Sequence, residues 1–129
     1  MSLEIKRAAK DFQDNYLASC IEKVKDACGI TFDFEIDYGS FKTKEDFTFL
    51  PNVFFDRFAE AMGNICVDDF GRDAVKSLIK KVKVVCIDDP EKKTFGVDKG
   101  TFLATGAWGQ SWGYHSAQDY QTFVEQKAA

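Results

Sequence analysis

Residues 82–107, VKVVCIDDPEKKTFGVDKGTFLATGA, decide the fold class of this 129-residue chain. Val82 to Ile87 is rich in β-branched side chains, which suit a pleated strand. Asp88-Asp89-Pro90-Glu91 then reads as a turn, because proline presets the dihedral its position requires. Thr94 to Val97 is a second strand. Asp98-Lys99-Gly100 suits a three-residue hairpin loop with glycine in the left-handed conformation. Thr101 to Trp108 is a third strand, apolar on both faces and so expected at the centre of a sheet. Strands joined by tight turns pair antiparallel. The expectation is therefore an antiparallel meander over 82–107.

Helices flank this segment. Upstream, Asp68 or Asp69 caps a helix running to about Lys81, with Phe70, Ala74, Val75, Leu78 and Ile79 as its buried stripe. Before it, Pro51 or Asn52 opens a helix to about Met62, and Gly63-Asn64 ends it. Residues 41–50 read either way, with Phe47 and Phe49 spaced for a short strand. Thr31 to Tyr38 alternates strictly, placing Phe32, Phe34, Ile36 and Tyr38 on one face and Asp33, Glu35 and Asp37 on the other. Residues 3–28 carry a helical apolar period and stop at Gly29. Downstream, Ser116 caps a last helix, with Asp119 three residues on as a variant capping box. The whole reads as a single α+β domain over 1–129. Its antiparallel sheet has four to five strands, with a long N-terminal helix, two central helices and a short C-terminal helix packed on it.

Composition narrows the function class. The chain is 45% hydrophobic and 15% aromatic with thirteen Phe, which is far from a disordered composition. Its net charge of −4 argues against nucleic acid or an anionic membrane as partner. Charges interrupt the N-terminus at once and no run of ~18 apolar residues exists, so neither a signal peptide nor a membrane span is expected. Cys20, Cys28, Cys66 and Cys86 form no Cys-x-x-Cys pair. They read as reduced, buried thiols of a cytoplasmic protein. With one histidine and scattered cysteines, no metal site and no cofactor is expected.

The candidate chemistry concentrates in residues 106–116, which hold both tryptophans and three of the nine glycines. Trp108, Gln110, Trp112, Tyr114 and His115 are the expected binding residues. Indole and phenol rings offer large contact area with one polar tip, and glycine admits close approach. Gly109-Gln110-Ser111-Trp112-Gly113 also matches the nucleophile-elbow pattern. An α/β-hydrolase, however, needs a largely parallel sheet and a histidine well downstream. His115, the sole histidine, lies four positions after Ser111. The reading is a non-catalytic module that binds a protein partner or small ligand through 106–116, with a homodimer left open. The competing reading is a small enzyme using His115 with Tyr114 or Ser111 and a carboxylate. The acidic face of Asp33, Glu35 and Asp37 and the lysines between 76 and 99 read as solvated faces.

Overall fold

The computed structural model describes residues 2–128 and has an α+β architecture built on a four-stranded sheet. The strands are β1 (Asp33–Ile36), β2 (Lys81–Cys86), β3 (Thr94–Asp98) and β4 (Thr101–Gly106). Their order is β1-β2-β4-β3. The sheet is mixed, which corrects the antiparallel expectation. β1 and β4 both run parallel to β2, and only the β3–β4 hairpin is antiparallel.

The meander fails at its first turn. Seven residues separate Cys86 from Thr94, and Pro90–Lys92 form a 3-10 turn in which the Asp89 carboxylate accepts from the Glu91 N–H. That connection is long enough to carry the chain one strand further out. β3 becomes an edge and β4 folds back between it and β2, so the strand with apolar residues on both faces does lie inside the sheet. The hairpin is also tighter than expected. Asp98 pairs with Thr101, leaving a two-residue loop in which Lys99 and Gly100 both take positive φ, 50° and 83°. That is the turn whose twist matches a hairpin.

Alternation gives the sheet one dry and one wet face. Ile36, Val82, Val84, Cys86, Phe102 and Ala104 are buried. Asp33, Glu35, Lys81, Lys83, Leu103 and Thr105 lie on the open side. There Glu35 binds Lys81 at 2.6 Å and Lys83 at 3.2 Å, and Lys81 first and Lys83 second hold its carboxyl below the ordinary range. A parallel sheet is usually covered on both faces. Polar and charged side chains at most outward positions make this face compatible with solvent.

Helices cover the dry face. The N-terminal helix is broken into α1 (Leu3–Asn15) and α2 (Leu17–Cys28) at Tyr16, whose φ of −127° departs from helical values. Residues 41–50 resolve as α3 (Lys44–Leu50) and not as a strand, because Thr43 and Asp46 form a capping box. A π-helical turn, Pro51–Asp56, leads into α4 (Arg57–Ile65). Gly63 lies within α4 and does not stop it. Its bare Cα faces α2, and a Cβ there would come 3.4 Å from the Ala27 carbonyl oxygen. The next helix, α5 (Asp69–Leu78), is capped by Asp68 and ends before Lys81, since Ile79 is already extended. Of its predicted stripe Val75 and Ile79 are buried, Ala74 and Leu78 are half-buried, and Phe70 is 88% exposed. The last helix, α6 (Ala117–Ala128), begins as expected: the Asp119 N–H donates to Ser116 Oγ, and the Ser116 N–H to the Asp119 carboxylate.

Aromatic rings join the layers. Phe58 of α4 packs 5.0 Å from Phe102 of β4, Phe54 lies 5.5 Å from Trp108, and Tyr120 of α6 stands edge-on to Phe95 at 4.9 Å. All four cysteines are free and buried in this core. Burial keeps thiolates from forming. An aromatic disulfide reagent should therefore label none in the native protein near pH 8 and four once it is unfolded. Fast labelling before unfolding would contradict the packing. Among the described residues, no helix is long and apolar enough to cross a membrane.

Candidate functional site

The segment between β4 and α6 is a tied loop. The Ala107 N–H donates to the Gly113 carbonyl, Gln110 N–H to Ala107, and Gly113 N–H to Gln110, at 2.9, 3.0 and 3.1 Å. This closure requires glycine at 113, where a Cβ would lie 2.0 Å from the Ala107 carbonyl oxygen. Three more ties hold the loop to distant elements. The Gly109 N–H donates to Asp46 Oδ1 at 2.8 Å, the Gln110 amide to the Asp88 carbonyl at 2.7 Å, and Lys93 Nζ to the Trp112 carbonyl at 2.6 Å.

Asp46 is the hub. It is 5% exposed, and its other oxygen accepts from the Thr43 N–H and hydroxyl at 3.3 and 2.9 Å. One buried carboxylate thus caps α3 and seats the glycine loop. A buried charge persists only with such partners.

The two tryptophans part company on this loop. Trp108 is 1% exposed, and its indole N–H donates to the Val85 carbonyl at 3.1 Å, so it belongs to the core. Trp112 is 81% exposed with φ at 66°. A bulky residue in the left-handed region costs about 1–3 kcal/mol and persists only where its surroundings impose it.

Beside Trp112 lies a shallow depression of about 530 Å³. Arg57, Lys93, Tyr114 and Asp119 bring its charges and ring; Ser111 and Ser116 add hydroxyls. The Arg57 guanidinium rests 4.8 Å over the Tyr114 ring and donates to the His115 carbonyl at 3.1 Å. Asp119 is held below the usual carboxylate range: the Ser116 N–H lowers it most, burial opposes this, and the Ser116 hydroxyl and His115 add to the lowering.

The remaining predicted residues divide. Gln110 is exposed, with its amide spent on Asp88. Tyr114 is half-buried under Arg57. His115 lies behind the depression. Its Nδ1 is 3.5 Å from the Asp119 carboxylate, its ring stands edge-on to Phe95 at 4.7 Å, and its buried Nε2 has no partner among the described residues. Ser111 is exposed and shares no hydrogen bond with His115 among the described residues, so the two do not form a serine–base pair. Among the described residues, no group of three His, Cys, Asp or Glu side chains is placed to hold a metal ion.

Sequence reasoning missed Arg57, Lys93 and Asp46. Arg57 and Asp46 reach the loop from about sixty positions away, and nothing local marks Lys93. Only the Thr43-x-x-Asp46 spacing carried a signal, and that signal spoke of a helix cap. Comparison with protein-family models, with curated proteins and with solved structures finds no match for this chain.

Proposed function

We propose that this chain is a non-catalytic binding module that takes a protein segment on the Trp112 loop. The observation that carries the reading is a mostly exposed indole, held in a left-handed backbone by a loop tied to Asp46, Asp88 and Lys93. A rigid aromatic anchor binds with little ordering cost. Arg57 and Lys93 beside it favour an apolar side chain of the partner next to a carboxylate.

The test uses a random peptide display library as probe, with selected peptides measured on variants. Trp112→Asn removes the indole and places there a residue that tolerates the left-handed region. It should leave stability unchanged or raise it by up to ~1 kcal/mol while weakening the selected peptides at least ~10-fold, about 1.4 kcal/mol. Ser111→Ala should change affinity by less than ~3-fold. With Trp108 sealed in the core, binding should shift the emission of Trp112 alone. Peptides that bind Trp112→Asn as tightly as the parent would overturn the proposal.

A further inference from the structure

The sheet ends at β3 in an open edge. The β3–β4 hairpin closes with a two-residue loop, so Asp98 and Thr101 form a hydrogen-bonded pair, as do Gly96 with Leu103 and Thr94 with Thr105. Phe95 and Val97 therefore point their N–H and C=O away from β4. Among the described residues, no other backbone group hydrogen-bonds to them. Such an edge is a template for a further strand, and natural edges are commonly guarded by charge. The opposite edge, β1, carries Asp33 and Glu35. β3 is uncharged from Thr94 to Val97.

Two features fit a strand laid against β3. Phe95 and Val97 point to the dry face and yet are only half-buried, because the sheet stops beside them. Gly96 between them has no positive φ, its register with β4 is unbroken by a bulge, and a Cβ there would meet nothing within 4 Å. Nothing in the described chain requires glycine at 96. Glycine inside a strand often marks a close approach of another backbone.

Charge selects the occupant. Lys92 and Lys93 precede β3 and Asp98 ends it. Lys93 Nζ reaches the Trp112 carbonyl, so the start of β3 adjoins the depression that holds Arg57. A second copy paired antiparallel over the whole strand would set Lys93 against Lys99 of its mate, and like charges directly opposite are unfavourable. A foreign strand with a carboxylate beyond its apolar residues meets Lys93 and Arg57 there instead.

We propose that the segment bound at the Trp112 loop continues as an added strand, antiparallel to β3. Two apolar side chains at alternate positions extend the dry face beside Val97 and Phe95. A carboxylate follows them, at Lys93 and Arg57. The inference rests on the binding role of the Trp112 loop and adds the partner's conformation and pattern. Strand addition draws affinity from main-chain hydrogen bonds and specificity from alternate side chains.

Hydrogen exchange followed by NMR on the full chain tests this, with the library-selected peptides as probe. In the free protein the Phe95 and Val97 amides should exchange fast and the Gly96 amide slowly. Saturating peptide should slow Phe95 and Val97 at least ~10-fold and leave Gly96 unchanged. Methylating the peptide's backbone nitrogens one at a time should weaken binding at least ~10-fold at every second residue of the strand, and less than ~3-fold between them. That scan needs no variant of the protein to fold. Peptides that lose affinity for Trp112→Asn yet leave both amides exchanging as in the free chain overturn the added strand and spare the loop. Peptides that protect both amides and ignore Trp112→Asn overturn the loop's role and support pairing at β3. Protection of both amides in a peptide-free dimer would give the edge to a second copy and overturn the proposal. A library that yields no binder overturns both readings.

Discussion

Raising the pH from 8.5 to 10.5 should lower folding stability by on the order of 4 kcal/mol, far more than surface charge alone accounts for. The cause is buried thiols. Burial first, then the Asp46 carboxylate, pushes the Cys86 thiol from 9.0 up to about 12. Burial also lifts Cys20 and Cys66 to about 11, with Asp56 adding at Cys20 and the neighbouring Cys28 at Cys66. Burial raises Tyr120 as well. Below pH 9 these thiols are neutral in both the folded and the unfolded chain, so their contribution is fully present. Above pH 9 the unfolded chain releases protons that the fold retains. Each group then costs up to ~1.4 kcal/mol per pH unit until its folded pKa is reached. The exposed Lys23–Asp56 and Lys81–Glu35 pairs raise their lysines and act in the same direction, only at higher pH. Urea unfolding at half-unit pH steps measures the slope. Cys86→Ala supplies the control, since its stability should fall less steeply than the parent's. A parent curve flat from pH 8.5 to 10.5 would mean that the thiols ionise as readily inside the fold as outside it.

The elements that the sequence revealed are those whose cause is local. Alternation marked the strand around Phe34 and Ile36, and Ser116 with Asp119 marked the start of α6. What local pattern did not carry was partnership between strands. β2 pairs in parallel with β4 because seven residues beyond Cys86 allow β3 to be bypassed, and no residue in that connection states the bypass. The same limit explains Phe70, which has the periodicity of a buried stripe and yet is left 88% exposed, with no helix or strand among the described residues to cover it. The site divides in the same way. Aromatic and glycine composition singled out residues 106–116, yet it could not separate Trp108 from Trp112. Their fates turn on whether a carbonyl such as that of Val85 is within reach of the indole, and on the left-handed φ at 112. Arg57 and Lys93 became visible only when the fold brought α4 and the start of β3 to the loop.

Asp46→Ala should cost about 3 kcal/mol and release the Trp112 loop from the body of the protein. One carboxylate satisfies the Gly109 N–H on one oxygen and the Thr43 N–H and hydroxyl on the other. Truncation strands those donors in a site only 5% exposed and removes half of a capping box, each a recognised source of loss. Water cannot readily replace the carboxylate at Gly109, whose backbone is pressed so close to α3 that a Cβ would lie 2.9 Å from the Asp46 nitrogen. Asp46→Asn separates shape from hydrogen bonding. Its amide oxygen can serve Gly109 or Thr43, and its NH2 then opposes a donor on the other side. The loss should therefore fall between the parent and Asp46→Ala, near 1.5 kcal/mol. Urea unfolding gives the two energies, and hydrogen exchange at the Gly109 amide shows whether the loop has come free. A loss below ~0.5 kcal/mol for Asp46→Ala would show that the hub carries neither the cap nor the loop. The asparagine variant also bears on the alkaline slope: by deleting the charge nearest Cys86 it should lower that thiol's pKa toward the value burial alone sets, so its stability should decline less steeply above pH 9.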